Sequence, residues 1–512
     1  MQYDVILVSG EPYVDHPFSG VGVIKRVLED KGFSVGVIET PDWKKDDDFL
    51  KLGKPRLFFG VSSGAMDSMV VNYTTLKKKR EDSKFSNISY SIPDRAVTVY
   101  CNMIRKLFKE SKMVIAGTES SLRRFAHYDA WDNKVRKSIL LDSRADILVY
   151  GYGEKQIIEI ASRVKGGEEL SGINGTCVVS RELLYGFVEL PSFDEVVDDK
   201  VKFCKMQSMF DVDKNLAQKF DNRYVLQYNA MEYTVADLDY VYSLPYSREI
   251  PFRYNEFSVV EFSVLTHRGC FAGCNFCSVS MMSGNKIVSR SKESIISEVK
   301  RIVKMPDFKG VIELSGASAN MYGMDCNKCS NNCLGCSSLD RSHSKMISLL
   351  KDVRKIKGVK KVLIKSGVRY DLAIHSPEYV EEIIKHHIDN TLMIAPEHVD
   401  HFVLKLMKKD DDKLNEFEKM FDDFANKEKK GIYLSYYLMV GHPGCTIDNS
   451  KSLYEFRKKH LHSDFVQIFT PTPMTVSTCM YYTSLNPITL KKVYVPYTYN
   501  EKKKQKNIVM GS

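Results

Sequence analysis

Long hydrophobic runs are missing from this sequence, and so is a secretory leader. No apolar run approaches the roughly 18 residues that a membrane-spanning helix needs. Residues 1–8 contain no basic segment followed by a long apolar core, so we expect no signal peptide. A disulfide framework is not expected either, because the chain is 512 residues long and shows no leader. These absences predict a cytoplasmic protein that does not contact a membrane.

A strong charge of one sign is also missing. The formal net charge is +9, but lysine and arginine are scattered along helix-like segments, a pattern that is typical of solvated helix faces. We therefore do not expect nucleic acid as a partner. One segment, Glu501 to Lys506, is rich in lysine and is expected to be a disordered tail within residues 491–512.

The first predicted domain covers residues 1–255. A chain of 512 residues exceeds what one hydrophobic core organises, so at least two domains are expected. Short apolar runs alternate with helical spacing, which predicts βαβ units and a doubly wound parallel sheet. Residues 165–255 are less regular and are interpreted as an extension and connector. The predicted strands are Val5–Val8, Phe33–Ile38, Leu57–Val61, Met113–Ala116 and Ile147–Tyr150, and the predicted helices are Val21–Lys31, Arg95–Lys109 and Glu154–Val164.

The second predicted domain covers residues 256–490, where the alternation resumes with a longer period. Ser291 to Met305 has helical spacing, and Ser376-Pro377 is a typical helix start. Six strand–helix repeats predict a partial TIM-like (β/α)6 barrel, with chemistry at the carboxyl ends of the strands. The predicted strands are Val259–Leu265, Val311–Leu314, Val362–Ile364, Leu392–Ala395, Ile432–Val440 and Phe465–Phe469.

Seven of the 12 cysteines lie between Cys270 and Cys336, in two groups. The first group places Cys270, Cys274 and Cys277 within eight residues, with two glycines that allow a tight turn. Thiolates suit iron–sulfur clusters and zinc. Three ligands leave one iron of a cubane cluster open, whereas a structural zinc site usually has four protein ligands. The spacing therefore predicts a 4Fe–4S cluster with an open corner, with structural zinc or buried thiols as the alternative.

The Cys-x-x-x-Cys-x-x-Cys pattern, with Phe276 before the third cysteine, resembles the signature of the radical S-adenosylmethionine (SAM) superfamily. Longer stretches are similar to the YgiQ-like family of that superfamily, from near residue 1 to about residue 490. They are residues 5–17, 67–69, 120–129, 367–371, 395–398, 442–444 and 480–483. The resemblance implies the cluster, SAM as cofactor and its reductive cleavage to a 5′-deoxyadenosyl radical. It implies an electron donor such as flavodoxin or ferredoxin, but it identifies no substrate.

The resemblance also implies where the cofactor binds. Ser315 and Gly316 follow the second barrel strand, where the superfamily contacts the methionyl amino group, although the usual Gly-Gly-Pro run is absent here. Arg369 is a candidate for the cofactor carboxylate, with an ion pair to Asp371 as the alternative. Gly441 resembles the loop that flanks adenine, and Phe276 belongs to the cysteine motif itself.

The second cysteine group comprises Cys326, Cys329, Cys333 and Cys336 in a loop rich in Asn and Ser. Four thiolates at this spacing can close around tetrahedral zinc or a second cluster. A reduced, flexible loop over the barrel mouth is the alternative. Because four thiolates leave no open corner, this group is not expected to generate the radical.

Three further stretches have weaker interpretations. Asp15-His16 and Gly20 are similar to the cobalt-binding motif of cobalamin domains, but their spacing differs, so the likeness is one of fold alone. Residues 397–398 offer a carboxylate and an imidazole for proton transfer, or a structural histidine. Residues 123–131 are candidates for a substrate or interdomain contact. Two alternatives to a plain radical SAM enzyme stay open: a cobalamin-dependent radical methyltransferase and a non-catalytic iron–sulfur or zinc scaffold.

Overall fold

A computed structural model describes residues 2–80, 91–251, 258, 260–326, 333–409, 412–428, 431–460 and 465–511. The first half of the chain forms an α/β layer structure. Its strands are β1 (Val5–Ser9), β2 (Val35–Glu39), β3 (Phe58–Ser62), β4 (Lys112–Ile115), β5 (His127–Asp129), β6 (Lys134–Arg136), β7 (Ile147–Val149), β8 (Thr176–Ser180), β9 (Val188–Leu190), β10 (Leu216–Phe220) and β11 (Arg223–Gln227). Its helices are α1 (Gly20–Asp30), α2 (Asp47–Leu50), α3 (Ser68–Asn72), α4 (Ala96–Leu107), α5 (Gly117–Ser121), α6 (Ile139–Ser143), α7 (Glu154–Gly166), α8 (Phe193–Asp198), α9 (Lys200–Met209) and α10 (Val235–Ser243).

The second half forms a partial barrel and the elements that close it. Its strands are β12 (Ser263–Leu265), β13 (His267–Arg268), β14 (Val288–Ser289), β15 (Val311–Ser315), β16 (Lys361–Ile364), β17 (Thr391–Glu397), β18 (Tyr433–Val440) and β19 (Phe465–Ile468). Its helices are α11 (Val279–Ser283), α12 (Lys292–Ile302), α13 (Ser344–Arg354), α14 (Tyr370–Ala373), α15 (Pro377–His386), α16 (His401–Met407), α17 (Leu414–Lys427), α18 (Ile447–Lys459), α19 (Val476–Thr483) and α20 (Tyr499–Met510).

The N-terminal sheet has nine strands in the order β2-β1-β3-β4-β7-β8-β11-β10-β9. The first five are parallel, as the sequence predicts, and their residues are buried because helices cover both faces. Beyond β7 the sheet is mixed: β8 runs antiparallel to β7, and β10 and β11 form a hairpin. The less regular residues 165–255, interpreted above as an extension and connector, thus contribute four strands to the same sheet, and none of these strands was predicted individually.

The barrel strands are all parallel and form two three-stranded sheets, β12-β15-β16 and β17-β18-β19. A parallel bridge between Val368 and Ile394 joins the two sheets, which makes six parallel strands in sequence order. The carboxyl ends of all six strands therefore lie at one mouth. The fold class predicted from the sequence is confirmed.

The lysine-rich end of the chain is ordered, and the expectation of a disordered tail was wrong. Residues 499–510 form helix α20, which begins at the N-cap Thr498, whose side chain accepts a hydrogen bond from the amide of Glu501. Lys502, Gln505 and Val509 lie on one buried face of this helix. The sequence analysis did not recognise this face, because the buried positions are spaced three and four residues apart among lysines.

The two halves share buried charges. Glu298 of α12 pairs with Arg290 and with Arg248, and Arg248 also lies 3.0 Å from His16 Nε2 of the N-terminal half. Arg268 Nη2 pairs with Glu154 Oε1 of α7 at 2.8 Å. These pairs are nearly inaccessible to solvent, so each charge depends on its partner. None of the helices in the described ranges is both long and apolar enough to cross a membrane.

We expect Glu298→Ala to lower the free energy of unfolding by about 3–5 kcal/mol, because it leaves two buried guanidinium groups without their counter-charge. Urea denaturation followed by circular dichroism measures the effect as a lower midpoint. Glu293→Ala is the matched control, since Glu293 is exposed on the same helix. Equal midpoints for the two variants would show that the buried charges do not stabilise the fold.

Candidate functional site

The three cysteines of the first group lie in a loop that is closed at its base. Strands β13 and β14 pair antiparallel, with His267 opposite Ser289 and Arg268 opposite Val288. We call residues 269–287, between these strands, the cluster loop. Gly269 has φ +88, and a Cβ atom there would lie 1.9 Å from the carbonyl oxygen of Lys286. Because only glycine fits this turn, Gly269 fixes the position at which the cluster loop begins.

Cys270, Cys274 and Cys277 are all half-buried in the cluster loop. Burial raises the pKa of the Cys270 thiol, and it raises the pKa of the Cys277 thiol to about 11. A metal that binds these sulfurs must therefore displace their protons. Among the described residues, no three His, Cys, Asp or Glu side chains are grouped closely enough to hold an ion. The donor set fits an iron–sulfur cluster chemically, and its role as a ligand set stays a prediction.

Arg369 lies beside this loop, at the mouth of the barrel. Its Nη1 is 3.9 Å from Cys274 Sγ, and its Nε donates to Asp371 Oδ1 at 3.0 Å in a two-point ion pair. Asn320 holds the Arg369 backbone from both sides, since its Oδ1 accepts from the amide and its Nδ2 donates to the carbonyl. The ion pair with Asp371, which the sequence analysis gave as the alternative role of Arg369, is present. The guanidinium group of Arg369 nevertheless lies beside Cys274. Asn320 was missed because its partner lies 49 residues away.

Ser315 and Gly316 lie at the carboxyl end of β15, beside the start of the cluster loop. Ser315 Oγ is 3.0 Å from Ser366 Oγ, which ties this strand end to the next one. A Cβ on Gly316 would lie 2.1 Å from His267 Cε1, so the close approach of the imidazole requires glycine here. Ser315 and Gly316 are half-buried, and both line the cavity described below.

Gly441 and Phe276 lie on the opposite side of the mouth. Gly441 has φ +73 and opens the turn after β18; we call residues 441–445 the 441–445 loop. Phe276 packs against the small buried cluster of Val403, Leu404, Met407 and Cys445, and its ring meets the ring of His442 edge-on, with the ring centroids 6.4 Å apart. The aromatic residue of the cysteine motif therefore joins the cluster loop to the 441–445 loop.

Glu397 and His398 end strand β17 and have different surroundings. Glu397 is buried with φ +68, and burial raises its pKa to about 7. His398 Nδ1 accepts hydrogen bonds from the amides of Val399 and Asp400, and burial lowers its pKa to about 4. His398 is thus engaged as a structural residue, whereas Glu397 keeps a buried carboxyl group at the mouth.

The second cysteine group lies partly outside the described residues, since Cys329 is not among them. Cys326, Cys333 and Cys336 are half-buried. Cys333 packs on the small apolar cluster of Phe271, Ala272, Ile287, Met321, Met324 and Leu372, against which Cys270 and Cys274 also pack. Cys333 therefore lies close to the first group.

A cavity of about 540 Å³ lies between the two halves of the molecule. Its walls come from the carboxyl ends of β1, β3, β4 and β7, from α1 and α7, and from the barrel residues Leu265, His267, Arg268, Ser315 and Gly316. Arg268 Nη1 has no hydrogen-bond partner among the described residues. Most of the lining side chains are apolar, and the volume is within the range of small-molecule sites.

His16 does not point freely into this cavity. Its Nδ1 accepts from the amide of Phe18, and its Nε2 lies 3.2 Å from the carbonyl oxygen of Glu261. Burial lowers its pKa to about 3. His16, whose spacing differs from that of the cobalt-binding motif, thus has both ring nitrogens next to backbone groups of this chain.

Residues 123–131 mainly serve the interior of the N-terminal half. Arg123 pairs with Asp67, and Asp129 pairs with Arg95 at 2.9 Å. The ring of Tyr128 stacks on that of Tyr482, with centroids 4.7 Å apart. This stretch is therefore both a buried charge network and a contact with α19.

Comparison with known proteins identifies the superfamily of the chain. Family models match the chain as "Radical SAM N-terminal" over residues 1–265, "Radical SAM superfamily" over 264–456 and "Domain of unknown function (DUF3362)" over 464–509. The superfamily model thus identifies the chain as a radical SAM enzyme, the class that uses a 4Fe–4S cluster and SAM.

The particular family follows from full-length relatives. A UPF0313 protein of Methanocaldococcus jannaschii is 43% identical over 542 residues, covering 99% of this chain and 89% of the relative. A UPF0313 protein of Fusobacterium nucleatum is 41% identical over 541 residues, covering 99% and 95%. The chain belongs to the YgiQ-like UPF0313 family of the radical SAM superfamily.

Two solved structures share the fold. The radical SAM methyltransferase TsrM of Kitasatospora setae, solved with cobalamin and a [4Fe-4S] cluster, has a TM-score of 0.57 at 15% identity, covering 94% of this chain and 76% of that one. The cobalamin-dependent SAM radical enzyme OxsB has a TM-score of 0.52 at 12% identity, covering 100% and 56%. At these identities the likeness concerns the architecture alone.

Replacing Cys326, Cys329, Cys333 and Cys336 together by Ser should leave SAM cleavage detectable, because four thiolates would saturate a metal and leave no position for the cofactor. If the loop binds metal, elemental analysis of the variant should show the loss of one zinc or of one cluster's iron per chain. Unchanged metal content would favour the loop interpretation. If SAM cleavage is lost while the first cluster is still visible in the absorption spectrum, the second cysteine group, and not the first, generates the radical.

Proposed function

We propose that Cys270, Cys274 and Cys277 hold the 4Fe–4S cluster and that SAM binds beside it at the barrel mouth. The observation that supports this most strongly is that Arg369 and the 441–445 loop both contact the cluster loop at one end of the six parallel strands. A cluster bound there would supply the electron for reductive cleavage of SAM, which yields methionine and the 5′-deoxyadenosyl radical.

The residues around the mouth have separate tasks in this proposal. Arg369 presents a guanidinium fixed by Asp371 and Asn320, which suits a carboxylate such as that of the methionyl group. Gly316 and Ser315 offer backbone groups to the amino group, and Gly441 and Phe276 line the side expected for adenine. Asn320 and Gly441 are buried, whereas Arg369, Phe276, Ser315 and Gly316 are half-buried.

The setting of the reaction is part of the proposal. A cluster that is sensitive to oxygen and thiols that must stay reduced fit the cytoplasm. A flavodoxin or ferredoxin is the class of electron donor that such a cluster requires. The substrate is not identified by these residues.

The test is SAM cleavage by anaerobically reconstituted protein with a chemical reductant. Cys270→Ala, Cys274→Ala and Cys277→Ala should each abolish the 4Fe–4S absorption and the formation of 5′-deoxyadenosine, because three ligands leave no spare one. Cys101→Ala is the control, since Cys101 is buried in helix α4 of the N-terminal half. Full cleavage by any of the three variants would refute the ligand assignment.

A cobalamin-dependent reaction is a second candidate, and the cavity between the two halves favours it. The cavity opens at the carboxyl edge of a parallel sheet, where α/β folds bind cofactors, and it reaches Ser315 and Gly316 of the proposed SAM site. The amide oxygens of a corrinoid could accept a hydrogen bond from Arg268 Nη1. His16 is engaged elsewhere, so this proposal gives the cobalt no histidine ligand from that position.

Equilibrium dialysis against hydroxocobalamin tests the second candidate. Ala65 lines the rim of the cavity and its neighbour Met66 does not, although both are exposed. We expect Ala65→Trp to weaken binding at least tenfold and Met66→Trp to leave it unchanged, because only the first side chain narrows the opening. Absence of binding by the wild-type protein, with SAM cleavage intact, would exclude the corrinoid and keep the first proposal.

A further inference from the structure

Residues 465–511, which we call the C-terminal segment, reach the mouth of the barrel through one buried amide. Gln505 of α20 is fully buried. Its Oε1 accepts a hydrogen bond from the amide of Gly441 at 2.9 Å, and its Nε2 donates to the carbonyl oxygen of Cys445 at 2.8 Å. One side chain therefore bridges the first and the last residue of the 441–445 loop.

A second contact from the same segment reaches the cluster loop. The amide of Ser477 in α19 donates to the carbonyl oxygen of Asn275 at 2.9 Å, and Asn275 follows Cys274 directly. The Ser477 hydroxyl lies 2.6 Å from His442 Nε2, while His442 Nδ1 is 2.8 Å from the carbonyl oxygen of Pro443. These partners place the imidazole proton on Nδ1, so the hydroxyl donates to Nε2. Ser477 thus joins the cluster loop to the 441–445 loop.

The C-terminal segment is itself fixed to both halves of the molecule. Cys479 and Tyr481 pack in the core of the N-terminal half, and Val509 packs in the core of the barrel. Lys502 Nζ donates to the hydroxyl of Tyr481 at 2.7 Å, which ties α20 to α19. The segment cannot shift relative to either half without losing buried contacts. The side chains of Gln505 and Ser477 are therefore held in fixed positions.

We propose that the C-terminal segment, which matches a family model of unknown function, fixes the spacing between the cluster loop and the 441–445 loop, with Gln505 and Ser477 as its positioning residues. This inference rests on the proposed function, in which those two loops hold the cluster and flank the cofactor. A binding site must be held within about 0.5 Å of its productive geometry, so a change in the spacing of the two loops weakens cofactor binding. The segment thus contributes to cofactor binding without touching the cofactor.

Gln505→Met tests this role, because methionine has a similar shape and cannot replace the two hydrogen bonds. We expect full iron content, at least a tenfold higher KM for SAM, and a change in kcat of less than twofold. The change that SAM causes in the electron paramagnetic resonance spectrum of the reduced cluster should be smaller than in the wild type at equal, sub-saturating SAM concentration. Ser477→Ala should act in the same direction.

Two control variants separate positioning from general stability. Val509→Ala removes apolar contact from the same helix without touching either loop, so it should lower the thermal midpoint and leave the KM for SAM unchanged. Lys504→Ala changes an exposed position of α20 and should alter neither quantity. If Gln505→Met keeps the wild-type KM and spectrum, or if Val509→Ala raises the KM equally, the positioning role is wrong. Failure of the wild-type protein to cleave SAM would instead refute the proposed function.

Discussion

The constraint on which the rest depends is the turn at Gly269. Its backbone passes so close to the carbonyl of Lys286 that no side chain fits, and this contact closes the cluster loop on itself. The short ladder of β13 and β14 holds the base of the loop, and Arg268 in that ladder pairs with Glu154 of the N-terminal half. The position of the three cysteines is therefore set by both halves of the molecule, through one steric and one electrostatic contact.

Most of the architecture could be predicted from the sequence. Strands β1, β3, β4 and β7 are short apolar runs bounded by polar residues or glycine, and helices such as α12 and α15 have clear periodicity and start signals. Each such element is specified locally, and parallel βα units have few possible arrangements. The three cysteines were found for the same reason, because their pattern is local and their chemistry is specific.

What the sequence analysis missed depends on distant partners or on weak local signals. The hairpin of β10 and β11 turns at Asp221, a non-glycine residue with φ +52, and the Asp-Asn pair there was a signal that could have been used. Helix α20 was interpreted as a tail because its lysines conceal the buried positions 502, 505 and 509. Asn320 and Gln505 act through partners 49 and 64 residues away, so no local pattern reveals them.

The return of the chain to the barrel mouth has a consequence for biosynthesis. Ser477 and Gln505 leave the ribosome after every strand of the barrel has been made, and the cysteines are translated roughly two hundred residues earlier. During that interval the 441–445 loop lacks its bridge and the cluster loop lacks its contact with α19. The order of synthesis thus leaves the thiols less enclosed while the chain is incomplete.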